Sequence, residues 1–144
     1  MPQHAIVIAN DHAGTELKRV LAAMLADRGF QVVDLGTGGS ESVDYPDFAA
    51  ALSKALAEGK ADRGLLICGT GIGIAMAANR FRNVRAAPVH DVSTARLARE
   101  HNDANVIALG ARFIGPELAK ECLEVFLNTP FAGGRHAGRV AKMS

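Results

Sequence analysis

Cys68 closes an apolar run, Leu65-Leu66-Ile67, and is followed at alternate positions by Gly69, Gly71 and Gly73. Beyond them, Ile74-Ala75-Met76-Ala77-Ala78-Asn79 continues as a small, apolar, helix-forming stretch. That order sets a thiol at the end of a buried strand, facing backbone N–H groups at the start of a helix. Such a turn can hold an anion, favour a thiolate, or do both. A cysteine so placed serves as nucleophile or as base, and no Cys-His-Asn protease signature surrounds it. Taken alone, a cysteine is more often an inert core residue, because this residue type prefers interiors. The glycine turn also departs from the dinucleotide fingerprint, with Ile74 where the third glycine would stand, and a Walker A loop is absent.

Other polar clusters admit two readings each. Asp11-His12 suits a helix cap, which is also an anion site. His101-Asn102-Asp103 suits a polar helix end before a strand. Arg135 and Arg139 are four apart, so in a helical turn they face the same way and suit a phosphate; otherwise they belong to a solvated basic tail. Cys122 shares a helical spacing with Leu118 and Val125 and reads as a small core residue.

The elements that must position these groups alternate strand and helix. Segments 5–9, 31–35, 65–68, 84–89 and 106–109 read as short strands, the first a continuous apolar run as expected for a strand buried on both faces. Between them, Leu17, Val20, Leu21, Met24 and Leu25 fall at helical spacing, and Gly29 ends that helix. Pro46 opens a second helix after a glycine- and serine-rich loop over 36–44, Asp91 or Ser93 caps one running to about His101, and Pro116 opens one to Leu127. This order predicts a single α/β domain over 1–144, a doubly wound, Rossmann-like parallel sheet of five strands with helices on both faces. Loops after the strands then bring Asp11-His12, Tyr45, Cys68–Gly71 and Arg112 to one sheet edge, where such folds bind ligands.

Composition narrows the classes further. Of 144 residues, 49% are hydrophobic and 22% charged, which is globular usage. Aromatics are 5% with no Trp, and the net charge is +1, so neither a base-stacking platform nor a polyanion-binding surface is expected, hence no nucleic-acid partner. Met1-Pro2-Gln3-His4 leads straight into a strand pattern, and no apolar run reaches membrane-spanning length, which predicts a cytoplasmic protein with no membrane partner.

Assembled in order, Asp11-His12-Ala13-Gly14, Asp44-Tyr45-Pro46, Cys68-Gly69-Thr70-Gly71-Ile72-Gly73, Arg99-Glu100-His101-Asn102-Asp103, Gly110-Ala111-Arg112 and Gly133-Gly134-Arg135-His136 resemble the type B ribose-5-phosphate isomerase family, shared with bacterial hexose-6-phosphate isomerases. The resemblance implies interconversion of D-ribose 5-phosphate and D-ribulose 5-phosphate through an enediolate, without metal or organic cofactor. It implies Cys68 as the base, since the glutamate of another branch has no counterpart among Gly71–Ala75. His101 would be the ring-opening acid, and the Thr70 hydroxyl would assist proton movement between substrate oxygens. Gly69, Gly71, Ile72 and Gly73 would offer N–H groups to the enediolate. Asp11, Tyr45 and Asn102 would hold sugar hydroxyls, while His12, Arg112, Arg135 and Arg139 would take the phosphate. The family's active site also implies a homodimer with a shared site, or a dimer of dimers, with the basic segment 131–144 contributing to the phosphate site.

Two alternatives stay open. An isomerase of another aldose phosphate (allose, galactose or a tetrose) shares the mechanism and differs in the room around the sugar. A non-catalytic nucleotide- or phosphate-binding module would share the sheet but need neither Cys68 nor His101.

Overall fold

Ala5–Asn10 (β1), Gln31–Asp34 (β2), Arg63–Cys68 (β3), Ala86–Pro88 (β4) and Val106–Gly110 (β5) pair in one parallel sheet of order β2-β1-β3-β5-β4. The computed structural model describes residues 4–144; Met1, Pro2 and Gln3, read above as leading into the first strand, lie outside the described residues. The helices are Thr15–Asp27 (α1), Tyr45–Ala57 (α2), Ile72–Ala78 (α3), Val92–Asn102 (α4), Pro116–Asn128 (α5) and Arg135–Met143 (α6), with a 3-10 turn at His12–Gly14. No helix among the described residues is long and apolar enough to cross a membrane.

The continuous apolar strands follow from burial on both faces. Alternation sends Ile6, Ile8, Leu65, Ile67, Ile107 and Leu109 toward α1, α4 and α5. Val7, Ala9, Leu66, Cys68, Val106 and Ala108 face α2 and α3. Crossover handedness explains the split. The β1-to-β2 and β4-to-β5 connections step one way along the sheet, and the β2-to-β3 and β3-to-β4 connections step the other way. Right-handed crossovers therefore put α1 and α4 on one face and α2 and α3 on the other. The chain leaves β3 toward one face and leaves its neighbours β1 and β5 toward the opposite face. A crevice at the carboxyl end of β3 is the result.

Three details differ from the sequence reading. The fourth strand is only Ala86–Pro88, not 84–89. It is an edge strand, Pro88 has no N–H to give, and Asn side chains take part of its backbone. Asn79 accepts from the Ala86 N–H at 2.7 Å and donates to its carbonyl at 2.9 Å, while Asn105 accepts from the Arg85 N–H at 2.8 Å. Leu118 is 38% exposed, so α5 turns Ala119, Cys122, Leu123 and Phe126 inward instead. Burial pushes the Cys122 thiol up to about 11, as suits an inert core residue. Tyr45 opens α2 rather than ending the loop before it.

Candidate active site

Asn10, at the end of β1, is fully buried and donates through Nδ2 to the Asp11 carbonyl at 2.8 Å. Asp11 then caps the 3-10 turn, accepting from the Ala13 N–H at 3.0 Å, and its own N–H donates to the Ile67 carbonyl at 3.1 Å. The bond to Ile67 ties the first loop directly beside Cys68. The His12 Nδ1 accepts from the Val43 N–H at 3.1 Å, which assigns the neutral ring's proton to Nε2 and leaves Nε2–H free to donate.

The loop over 36–44 is held by side chains that periodicity alone does not flag. Lys18 is 5% exposed, and its ammonium lies 3.0 Å from Asp34 Oδ2 and 2.6 Å from the Thr37 carbonyl. Thr15 donates to the Gly39 carbonyl at 2.8 Å. These bonds fix the segment that delivers Val43 to His12 and Tyr45 to the glycine turn.

Cys68, 4% exposed, ends β3, and its Sγ accepts from the Gly71 N–H at 3.2 Å. The Thr70 Oγ1 accepts from the Ile72 N–H at 3.1 Å. Two of the expected enediolate donors, on Gly71 and Ile72, are thus engaged within the turn. Among the described residues, the N–H groups of Gly69 and Thr70 have no acceptor and remain free for a ligand. The small residues are enforced by close approach. A Cβ on Gly69 would lie 3.2 Å from the Arg112 guanidinium, and one on Gly73 would lie 2.7 Å from the Tyr45 ring. Arg112 and Tyr45 therefore flank the turn that carries the thiol.

Gly71 has φ +77°, and a Cβ there would lie 2.9 Å from the Leu109 carbonyl carbon. Gly71→Ala is expected to cost at least about 1–3 kcal/mol of stability from the left-handed backbone alone, with further loss from the clash. It should also remove most activity by displacing the N–H that meets Cys68. Gly38→Ala, where a Cβ meets open space, should stay within about 0.5 kcal/mol in the same denaturation measurement.

The remaining site residues lie elsewhere. In a parallel sheet, a helix following a strand's carboxyl end runs back to the amino edge. The α4 helix has eleven residues, about 16 Å at 1.5 Å per residue. Asp91, its cap, accepts from the Thr94 N–H at 2.7 Å on the Cys68 edge, whereas His101 and Asn102 end the helix at the opposite edge. Arg135 and Arg139 sit on α6, packed against α4, and His136 stacks on His101 with ring centroids 4.2 Å apart. Asn102 borders a surface depression of about 440 Å³ with Asn79, Arg85 and Met143. A single chain thus brings together Asp11, His12, Tyr45, Cys68, Gly69, Thr70, Gly71, Ile72, Gly73 and Arg112, and separately gathers His101, Asn102, Arg135 and Arg139.

Arg99, 3% exposed, organises the second group and was not singled out for a role by sequence. Its Nη1 donates to Asp103 at 2.8 Å and to the Ala104 carbonyl at 2.7 Å, its Nε donates to the Thr129 carbonyl at 3.0 Å, and its guanidinium lies over Phe126. The signal was present: Arg99 falls four residues after Ala95, on the buried stripe of α4.

A doubly wound sheet with a thiol, a guanidinium and free N–H groups at its crevice defines an enzyme domain built to handle a small anionic substrate. The ribose/galactose isomerase family model matches residues 6–143, and the chain belongs to that family of isomerases. It is 46% identical over 135 residues to ribose-5-phosphate isomerase B of Escherichia coli, covering 94% of this chain and 91% of that protein. It is 45% identical over 142 residues to D-erythrulose-4-phosphate isomerase of Pectobacterium atrosepticum, covering 96% of this chain and 92% of that protein. The structure of ribose-5-phosphate isomerase B from Mycoplasma genitalium with bound ribulose-5-phosphate superposes with a TM-score of 0.93 at 41% identity, covering 99% of this chain and 95% of that one.

Proposed function

We propose that this enzyme interconverts D-ribose 5-phosphate and D-ribulose 5-phosphate, with Cys68 as base, in a homodimer whose sites each draw on both copies. The observation that carries the reading is the Cys68 thiol at the end of β3, bonded by the Gly71 N–H and flanked by Arg112 and Tyr45.

His101 protonates the furanose ring oxygen as the C1–O bond to it breaks. The anomeric O1–H gives up its proton as the C1 aldehyde forms, and that proton returns through solvent to the His101 ring. Cys68 takes the proton from C2, and the released electron pair moves into the C1 carbonyl to give the enediolate. The Thr70 hydroxyl relays the O2 proton to O1, and Cys68 returns its proton to C1. No group is oxidised or reduced beyond the sugar's own two carbons, so the cycle needs no cofactor. The free N–H groups of Gly69 and Thr70 meet the developing oxyanion, where one such donor typically contributes about 3–4 kcal/mol. Asp11, Tyr45 and Asn102 hold hydroxyls; His12, Arg112, Arg135 and Arg139 hold phosphate.

Separation of the two residue groups across the sheet supports the shared site, because a second copy can present its α4 end to the first copy's Cys68. Apolar surface is available for such a contact: Ile72 is 53% exposed and Met76 66%, four apart on α3, with Tyr45, Phe81 and Met143 also exposed. A dimer of dimers would add a second interface without altering this chemistry.

The assay is kcat/KM across four-, five- and six-carbon aldose phosphates, with ribose 5-phosphate expected to rank first. The erythrulose-4-phosphate relative at 45% identity favours a tetrose phosphate as the second reading, which a higher kcat/KM on erythrose 4-phosphate would establish. Tight mononucleotide binding without turnover of any sugar phosphate would instead point to a binding module.

A further inference from the structure

His136 has no part in the reaction just described, although it sits between the two phosphate arginines in sequence. Its ring is stacked on His101, with centroids 4.2 Å apart and planes 17° from parallel. The backbone around it is anchored to the same helix end. Ala132 donates its N–H to the Glu100 carbonyl at 3.1 Å, and the Arg99 Nε holds the Thr129 carbonyl at 3.0 Å. Gly133 and Gly134, with φ +67° and +56°, then turn the chain so that α6 starts with His136 over His101.

We infer that His136 is a positioning residue for His101, fixing by ring stacking the direction in which the acid presents its N–H to the sugar ring oxygen. The inference rests on the assignment of His101 as ring-opening acid. A half-buried histidine at a helix end, without a partner for its ring, samples more than one rotamer, and a misaimed acid protonates the ring oxygen less often per bound substrate. The charge pattern agrees with the geometry. The His136 pKa is lowered, first by desolvation and then by the charges of His101, Arg135 and Arg139, with Glu100 opposing. Burial and the surrounding positive charges thus favour the neutral ring at His136.

Purified full-length variants are compared on the aldose phosphate that the wild-type enzyme turns over fastest. His136→Ala should lower kcat about tenfold with KM within about twofold, whereas His136→Phe, which keeps an aromatic face, should stay within about threefold of wild type. Added to His101→Asn, His136→Ala should cause no further loss, because its effect passes through His101. In proton NMR, the His101 ring Cε1–H resonance should move when His136 becomes Ala. Unchanged kcat in His136→Ala, a loss confined to KM, or a Phe variant no better than Ala each overturns the inference. If His101→Asn itself keeps wild-type kcat, the ring-opening assignment has failed, and the positioning role falls with it.

Discussion

Replacing Cys68 by alanine is expected to lower kcat by a factor of at least about 10² while sugar-phosphate binding stays within a few-fold of wild type, because general-base removal costs about 10²–10⁴ in rate. The turn itself offers no substitute. From Gly69 to Asn79 it contains no carboxylate, imidazole or second thiol. Asp11, the neighbouring acid, is buried, and one of its oxygens is engaged by the Ala13 N–H. The substitution removes one sulfur atom from a position 4% exposed, so the stability cost should be near 1 kcal/mol and the fold should persist. Cys68→Ser keeps a group able to accept from the Gly71 N–H but offers a hydroxyl in place of a thiol. It should therefore recover binding geometry without recovering rate. Ketose formation followed spectroscopically, alongside calorimetric binding of the substrate, separates the two effects. Activity of the alanine variant within tenfold of wild type would remove Cys68 as the base.

The sheet was legible because β1, β3 and β5 are dominated by buried apolar residues, as a parallel sheet covered on both faces requires, and because Gly29, Pro46 and Pro116 mark helix boundaries. The short β4 was not legible. Val84 is buried, yet its N–H bonds the Phe81 carbonyl at 3.1 Å rather than β5, since burial and ladder bonding are separate demands and an apolar run reports only burial. Leu118 failed for a related reason: Leu118, Cys122 and Val125 share one helical spacing, but the packed stripe runs through Ala119, Cys122, Leu123 and Phe126. Lys18 and Asn10 were also passed over. A lysine inside an amphipathic helix reads as solvated, and nothing local says that Asp34 and the Thr37 carbonyl wait above it.

The larger group of site residues followed from strand ends, since any residue just after a parallel strand must lie at the carboxyl edge. His101, Asn102 and the two arginines lacked that constraint. Their place depends on the direction of α4 and on where α6 docks, and docking is set by tertiary contacts such as the Arg99–Thr129 bond.

That separation leads to an experiment in which two dead enzymes should restore one another. Cys68→Ala and His101→Asn homodimers are each expected to retain under about 1% of wild-type kcat. In a two-fold dimer with shared sites, a hybrid of one copy of each concentrates both substitutions in one site and leaves the other intact. Random exchange in an equal mixture makes half the dimers hybrid, each with one working site of two, so activity should climb to about a quarter of wild type. Different affinity tags on the two copies verify that hybrids formed, and purified hybrids should reach about half of wild-type activity. If each site were built within one chain, every chain in the mixture would carry one lesion and no exchange could repair it. Verified hybrids without activity would therefore place Cys68 and His101 in the same chain's site, against the opposite-edge positions that α4 gives them.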